Sequence, residues 1–100
     1  MREDRQRLDK WLWFARFVKS RTSAAKLVGE GFVRVNGRRA DTPAQPIAIG
    51  DVLTIALART TAVVRVEALG ARRGPAPEAR RLYRELDRDD GALVTVPASR

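Results

Sequence analysis

Between residues 8 and 19 the apolar side chains recur at helical spacing. Leu8, Trp11, Leu12, Phe14, Ala15 and Val18 share one broad face at about 100° per residue, and Asp9, Lys10, Trp13, Arg16 and Phe17 fall elsewhere. This predicts an amphipathic helix over 8–19. A shorter helix follows, with Ser20 as its N-cap, because the hydroxyl accepts a hydrogen bond from an amide that a helix start leaves free. Ala24, Leu27 and Val28 form its inner face, and Gly31 suits the left-handed position that closes it.

The period then shortens. Phe32 to Arg39 reads as a strand, an Asn36-Gly37 turn and a returning strand, since Asn-Gly tolerates the positive φ angles of a tight hairpin. Residues 41–50, with Pro43, Pro46 and Gly50, read as a loop. Val52 to Leu57 and Ala62 to Leu69 predict two further strands around Arg59-Thr60-Thr61. Gly70 to Pro77 is a basic linker, and Leu82 and Leu86 are spaced to dock a last helix over 78–88. From Asp89 the pattern fades into an expected flexible tail, and no internal repeat is present. The expected class is α+β: two N-terminal helices packed on a small, mostly antiparallel curved sheet, plus a C-terminal helix.

One hundred residues suit one domain, and the absence of any long apolar run argues against a membrane span. No signal-peptide pattern opens the chain, and zero cysteines exclude a disulfide framework, so a cytoplasmic location is expected. Charge changes the picture more. The net charge is +8, and residues 1–40 hold 11 basic against 4 acidic side chains, leaving 9 against 8 for the remainder. A positive charge concentrated in two-fifths of the chain is the footprint of a polyanion partner, nucleic acid before any anionic membrane.

The densest group lies where the two helices meet: Arg16, Lys19, Ser20, Arg21 and Lys26, with no acidic residue between Arg16 and Lys26 to neutralise them. Free amides and the dipole at a helix start attract anions, and cations beside them deepen the attraction. Arg34, Arg38 and Arg39 flank the hairpin, either as soluble edge decoration or as an extension of the same surface. Trp13 and Phe17 form an i, i+4 aromatic pair, read as packing against the last helix rather than as a stacking platform for bases. Asp9 is placed to orient a basic neighbour or cap the first helix. Catalysis is a poor fit, because the chain has no histidine and its acids are scattered. Without a nucleotide-binding glycine motif or a metal-ligand cluster, no cofactor is expected.

Arg7-Leu8-Asp9-Lys10-Trp11-Leu12, Arg16, Ser20-Arg21, Ala25, Leu27, Gly31, Val33, Val35-Asn36-Gly37 and Gly50-Asp51 together form a pattern. It resembles the alpha-L RNA-binding motif, the small domain named for ribosomal small-subunit protein four, over about residues 7–57. With Trp13, Lys19, Arg72-Arg73, Glu78-Ala79 and Leu82-Tyr83 it looks closest to the fifteen-kilodalton heat-shock group of bacteria. The resemblance implies an RNA-binding domain over 7–70, with a linker and C-terminal helix over 71–88 packed on it and a tail over 89–100. It implies RNA across the helical pair and adjacent strand, contacted by Arg7, Lys10, Arg16, Lys19, Ser20, Arg21, Lys26, Arg34, Arg38 and Arg39. The partner it implies is ribosomal RNA, with transfer RNA, on the large ribosomal subunit in rescue of stalled translation. The chain is expected to act as a monomer. Two rivals share this composition: a helix-turn-helix DNA binder using residues 20–30 as recognition helix, and a protein-interaction module with a basic face.

Overall fold

A computed structural model describes residues 5–89. The order is β1 (Arg5–Arg7), α1 (Leu8–Phe14), α2 (Arg21–Gly29), β2 (Val33–Val35), β3 (Arg38–Arg39), β4 (Pro46–Ala48), β5 (Val52–Ala56), β6 (Thr61–Val66), α3 (Ala76–Ala79), a 3-10 turn (Arg80–Leu82) and β7 (Tyr83–Asp89). Five strands form one antiparallel sheet in the order β3-β2-β5-β6-β7, and β1 pairs with β4 in a separate ribbon. The class is α+β, with helices on a mostly antiparallel sheet.

Alternation drives the sheet. Leu53 and Ile55 on β5, and Ala62, Val64 and Val66 on β6, are buried, while the residues between them are at least partly exposed. Their inner face meets Leu8, Trp11 and Leu12 from α1 and Ala24 and Val28 from α2 in one core. Asn36 and Gly37 both have positive φ, 52° and 86°, as a two-residue hairpin of primed type requires. Asn36 also ties the hairpin to β5: its Oδ1 accepts from the Val52 amide at 2.9 Å and its Nδ2 donates to Asp51 at 3.1 Å.

The first helix is shorter than its apolar stripe predicts. It ends at Phe14, where the Phe17 amide donates back to Leu12 and the Arg16 amide to Trp13, with Arg16 left-handed at φ 66°. That double closure normally takes glycine at the left-handed position. The second helix closes in the same way, with Gly31 at φ 87° and Phe32 donating back to Leu27.

Two further corrections follow from pairing at a distance. Residues 41–50 are not all loop, because Pro46–Ala48 pairs antiparallel with Arg5–Arg7. The last helix covers only residues 76–82, and from Tyr83 the chain is strand. The open edge of β6 captures it, and tertiary pairing outweighs local helix propensity. The register steps from Val63–Asp87 to Val64–Glu85, so Leu86 is the extra residue of a β-bulge and is 48% exposed. The tail expected after Asp89 lies outside the described residues.

A strap runs over α1 after β6. The Trp11 indole donates to the Ala68 carbonyl at 3.0 Å, and the Gln6 amide exchanges two hydrogen bonds with Gly70. Gly70 lies so close to Phe14 that a Cβ there would sit 2.5 Å from the ring, so only glycine fits. These contacts fix the strap and, with it, the cations it carries.

Candidate nucleic-acid interface

The ten residues expected at the interface fall into three groups. At the start of α1, the Arg7 guanidinium forks onto Asp9, with Nε and Nη2 at 3.1 and 2.9 Å from the two carboxylate oxygens. Asp9 is buried while the Arg7 side chain stays half exposed, so the carboxylate orients the cation toward solvent. That hydrogen bond, and then the charge of Asp9, raises the Arg7 pKa above its already high ordinary value. Lys10, on the same helix, has its ammonium 5.6 Å from the centre of the Phe14 ring.

The second group is the α1–α2 junction. Arg16, Lys19 and Arg21 are exposed, and Ser20 caps α2 by accepting from the Ser23 amide at 3.0 Å. The first turn of α2 contains no acidic residue and opens on Arg21. A cation at the positive end of a helix dipole is locally unfavourable, and an arriving anion is attracted by both and offsets that cost. The Arg16 Nε donates to the Gly74 carbonyl at 2.6 Å, which pins its guanidinium.

The third group lies at the other end of α2, about 13 Å away for nine residues at 1.5 Å each. Lys26 is in the last turn, and Arg39 reaches the Gly29 carbonyl at 3.4 Å. Arg34 pairs in register with Arg39, and Arg38 follows the turn, all three exposed. The hairpin cations therefore continue the surface of α2. Arg7 does not join the junction, because it sits at the opposite end of α1 from Arg16. Apart from Arg7, none of the ten has a carboxylate partner among the described residues.

The aromatic pair expected at Trp13 and Phe17 is divided. Phe17 packs inward, its ring 6.0 Å from Trp11 and 4.8 Å from Tyr83. Trp13 is half-buried, resting on Phe14 at 5.5 Å and beneath the Arg73 guanidinium at 6.0 Å. Arg73 also reaches the Val18 carbonyl, so the strap adds a cation beside the junction that the charge pattern of the first forty residues did not point to. Its one sequence signal is the Arg72-Arg73 pair inside a linker; Arg72 itself is paired with Glu78. Among the described residues no three acidic, histidine or cysteine side chains gather to hold a metal, and no helix is long and apolar enough to cross a membrane.

Comparison with known proteins gives a consistent picture. The S4 domain model matches residues 6–53, a span that contains all ten residues. A heat shock protein 15 homolog of Haemophilus influenzae is 37% identical over 87% of this chain and 66% of its own length. Heat shock protein 15 of Escherichia coli K12 is 40% identical over 79% of this chain and 59% of its own length. The chain thus spans somewhat under two-thirds of these curated relatives. Among solved structures, a trimeric structure of Vibrio cholerae heat shock protein 15 superposes with a TM-score of 0.77 at 41% identity, covering 82% of each chain.

Proposed function

The chain belongs to the S4-domain family, and from that premise we propose that it binds structured RNA by the α1–α2 junction and the β2–β3 hairpin, without catalysis. The observation that carries this reading is the start of α2. A Ser20 cap, Arg21 at the first helical position, no acid in the first turn and Lys19 beside it, without a carboxylate partner among the described residues, make a site suited to an anion. The short α2 offers few side chains able to read base edges in a duplex groove, which favours RNA over the helix-turn-helix alternative.

The resemblance to ribosome-associated members points the RNA to ribosomal and transfer RNA on the large subunit, in a heat-shock-type rescue or recycling role in the cytoplasm. Tagged protein should co-sediment with large subunits from lysate, and more strongly when translation has been stalled. In competition at fixed salt, ribosomal RNA should displace a bound RNA probe better than duplex DNA or an acidic protein. Displacement by the acidic protein alone would replace this reading with the interaction-module one.

The working state is a monomer. Among the described residues, the exposed large apolar side chains Phe32, Ile49 and Leu86 stand on three separate segments. Light scattering at micromolar concentration should return the mass of one chain, and a threefold mass would align it with the Vibrio cholerae trimer.

A further inference from the structure

We propose that the cleft between the end of α1 and the α3–β7 segment takes one unpaired nucleotide of the bound RNA, with the base inside and its phosphate at the rim. The cleft, of about 280 Å³, is lined by Arg16, Phe17, Leu57, Ala79, Arg80 and Tyr83, among others. That volume sits just below the roughly 300–1,000 Å³ typical of drug-sized ligands, which suits a single base rather than a large cofactor.

Its chemistry has two halves. Phe17 and Tyr83 form an aromatic wall, their rings 4.8 Å apart and tilted by 47°, and Trp11 backs Tyr83 edge-on at 6.3 Å. Leu57 and Ala79 complete an apolar floor. The two cations, Arg16 and Arg80, are both exposed, and neither has a carboxylate partner among the described residues. A purely apolar occupant would leave two guanidiniums unmatched, and a simple anion would leave the aromatic wall unused. A nucleotide satisfies both, since a base stacks on rings and a phosphate takes guanidinium nitrogens.

Arg16 connects the cleft to the rest of the interface. Its Nε is committed to Gly74, and its two terminal nitrogens remain for a phosphate. It belongs at once to the α1–α2 junction and to the cleft, so a strand held at the junction delivers an extruded base directly. Leu57, Ala79, Arg80 and Tyr83 all lie beyond the span matched by the S4 domain model. One wall of the cleft, with Arg16 and Phe17, thus belongs to the matched span, and the other is built by residues beyond it.

This inference rests on the RNA-binding reading, and the test separates the two. Anisotropy titrations would compare two hairpins identical except at one bulged position, an adenosine in the first and an abasic ribose in the second. The native protein should bind the adenosine hairpin on the order of tenfold more tightly. Ala76→Phe, at an exposed cleft-lining position, should abolish that preference and leave affinity for the abasic hairpin unchanged. Arg80→Ala, a surface change that leaves the core intact, should weaken both hairpins by a similar factor, because both carry the phosphate at the rim. Equal binding of both hairpins by the native protein, a preference that survives Ala76→Phe, or native affinity for both hairpins in Arg80→Ala overturns the cleft alone. Binding of neither hairpin overturns the RNA-binding reading itself.

Discussion

The two ends of the described chain share one core and use their surfaces differently. In the sheet formed by β5, β6 and β7, buried and exposed positions alternate strictly on the inner strands, and charges of both signs are nearly balanced beyond residue 40. Around α1, α2 and the hairpin, exposed cations stand without carboxylates among the described residues, and the one carboxylate there that takes a cation, Asp9, is buried and turns Arg7 outward. Unpaired surface charge adds little to folding stability and a good deal to polyanion affinity. The difference predicts that stability and RNA binding are separable, and substitutions should sort accordingly.

Trp11→Ala should have the largest effect, because Trp11 joins the two regions. It is fully buried, touches Phe17 and Tyr83, and donates to Ala68 on the strap. Its loss should lower unfolding free energy by roughly 3–5 kcal/mol, measured by urea titration. Trp13→Ala, at a half-buried position against Phe14 and Arg73, should cost less than half as much. Equal losses would show that the strap, rather than the shared core, couples the regions.

A second pair of variants sharpens the contrast in charge. Arg21→Ala with Lys26→Ala removes two exposed, unpaired cations of α2. If each meets one phosphate, the slope of log K against log salt should flatten by about 1.4–1.8. The matched control is Arg65→Ala with Arg84→Ala, two exposed arginines directly opposite each other on β6 and β7. Like charges so placed repel, so this change should leave the slope alone and slightly raise stability. The same flattening from both pairs would mean that net charge binds RNA without a localised surface.

What could be read from the sequence was whatever local chemistry decides. The Ser20 cap, the Asn36-Gly37 turn and the Gly31 closure each depend on hydrogen bonds within a few residues, and each forms. Asp9 orients a basic neighbour through the same kind of local contact, but the neighbour is Arg7 rather than Arg5 or Lys10, and no side chain caps the helix start. The early end of α1 was hidden because Ala15 and Val18 prolong the helical stripe and the left-handed residue is not glycine. β1 was hidden because Arg5-Gln6-Arg7 carries no apolar alternation and finds its partner forty residues away. Leu82 and Leu86 imitate a helix face, and only the free edge of β6 decides that the chain extends. The cluster of cations at the α1–α2 junction was legible as charge density, while Arg73 and the cleft depend on a strap that folding alone brings over α1.

Arg16→Gly should give the smallest change in salt slope of the binding variants, and it tests whether binding and folding part company at a single residue. A left-handed conformation costs a non-glycine residue about 1–2 kcal/mol, which glycine would relieve. Against that, glycine gives up the charged hydrogen bond to Gly74, worth roughly 1.5–3 kcal/mol, and gains freedom in the unfolded chain. Opposing contributions of similar size leave a net change of about 1 kcal/mol, within reach of a denaturant titration. RNA affinity should nevertheless fall, with the salt slope flattening by about 0.7–0.9 for one lost phosphate contact. A backbone site shaped for glycine but occupied by arginine is then explained by what the guanidinium does, since the turn itself gains nothing from it. If Arg16→Gly binds RNA normally yet unfolds much more easily, the guanidinium serves only to fasten the strap, and the division between a stabilising sheet and a binding junction fails at the residue that joins them.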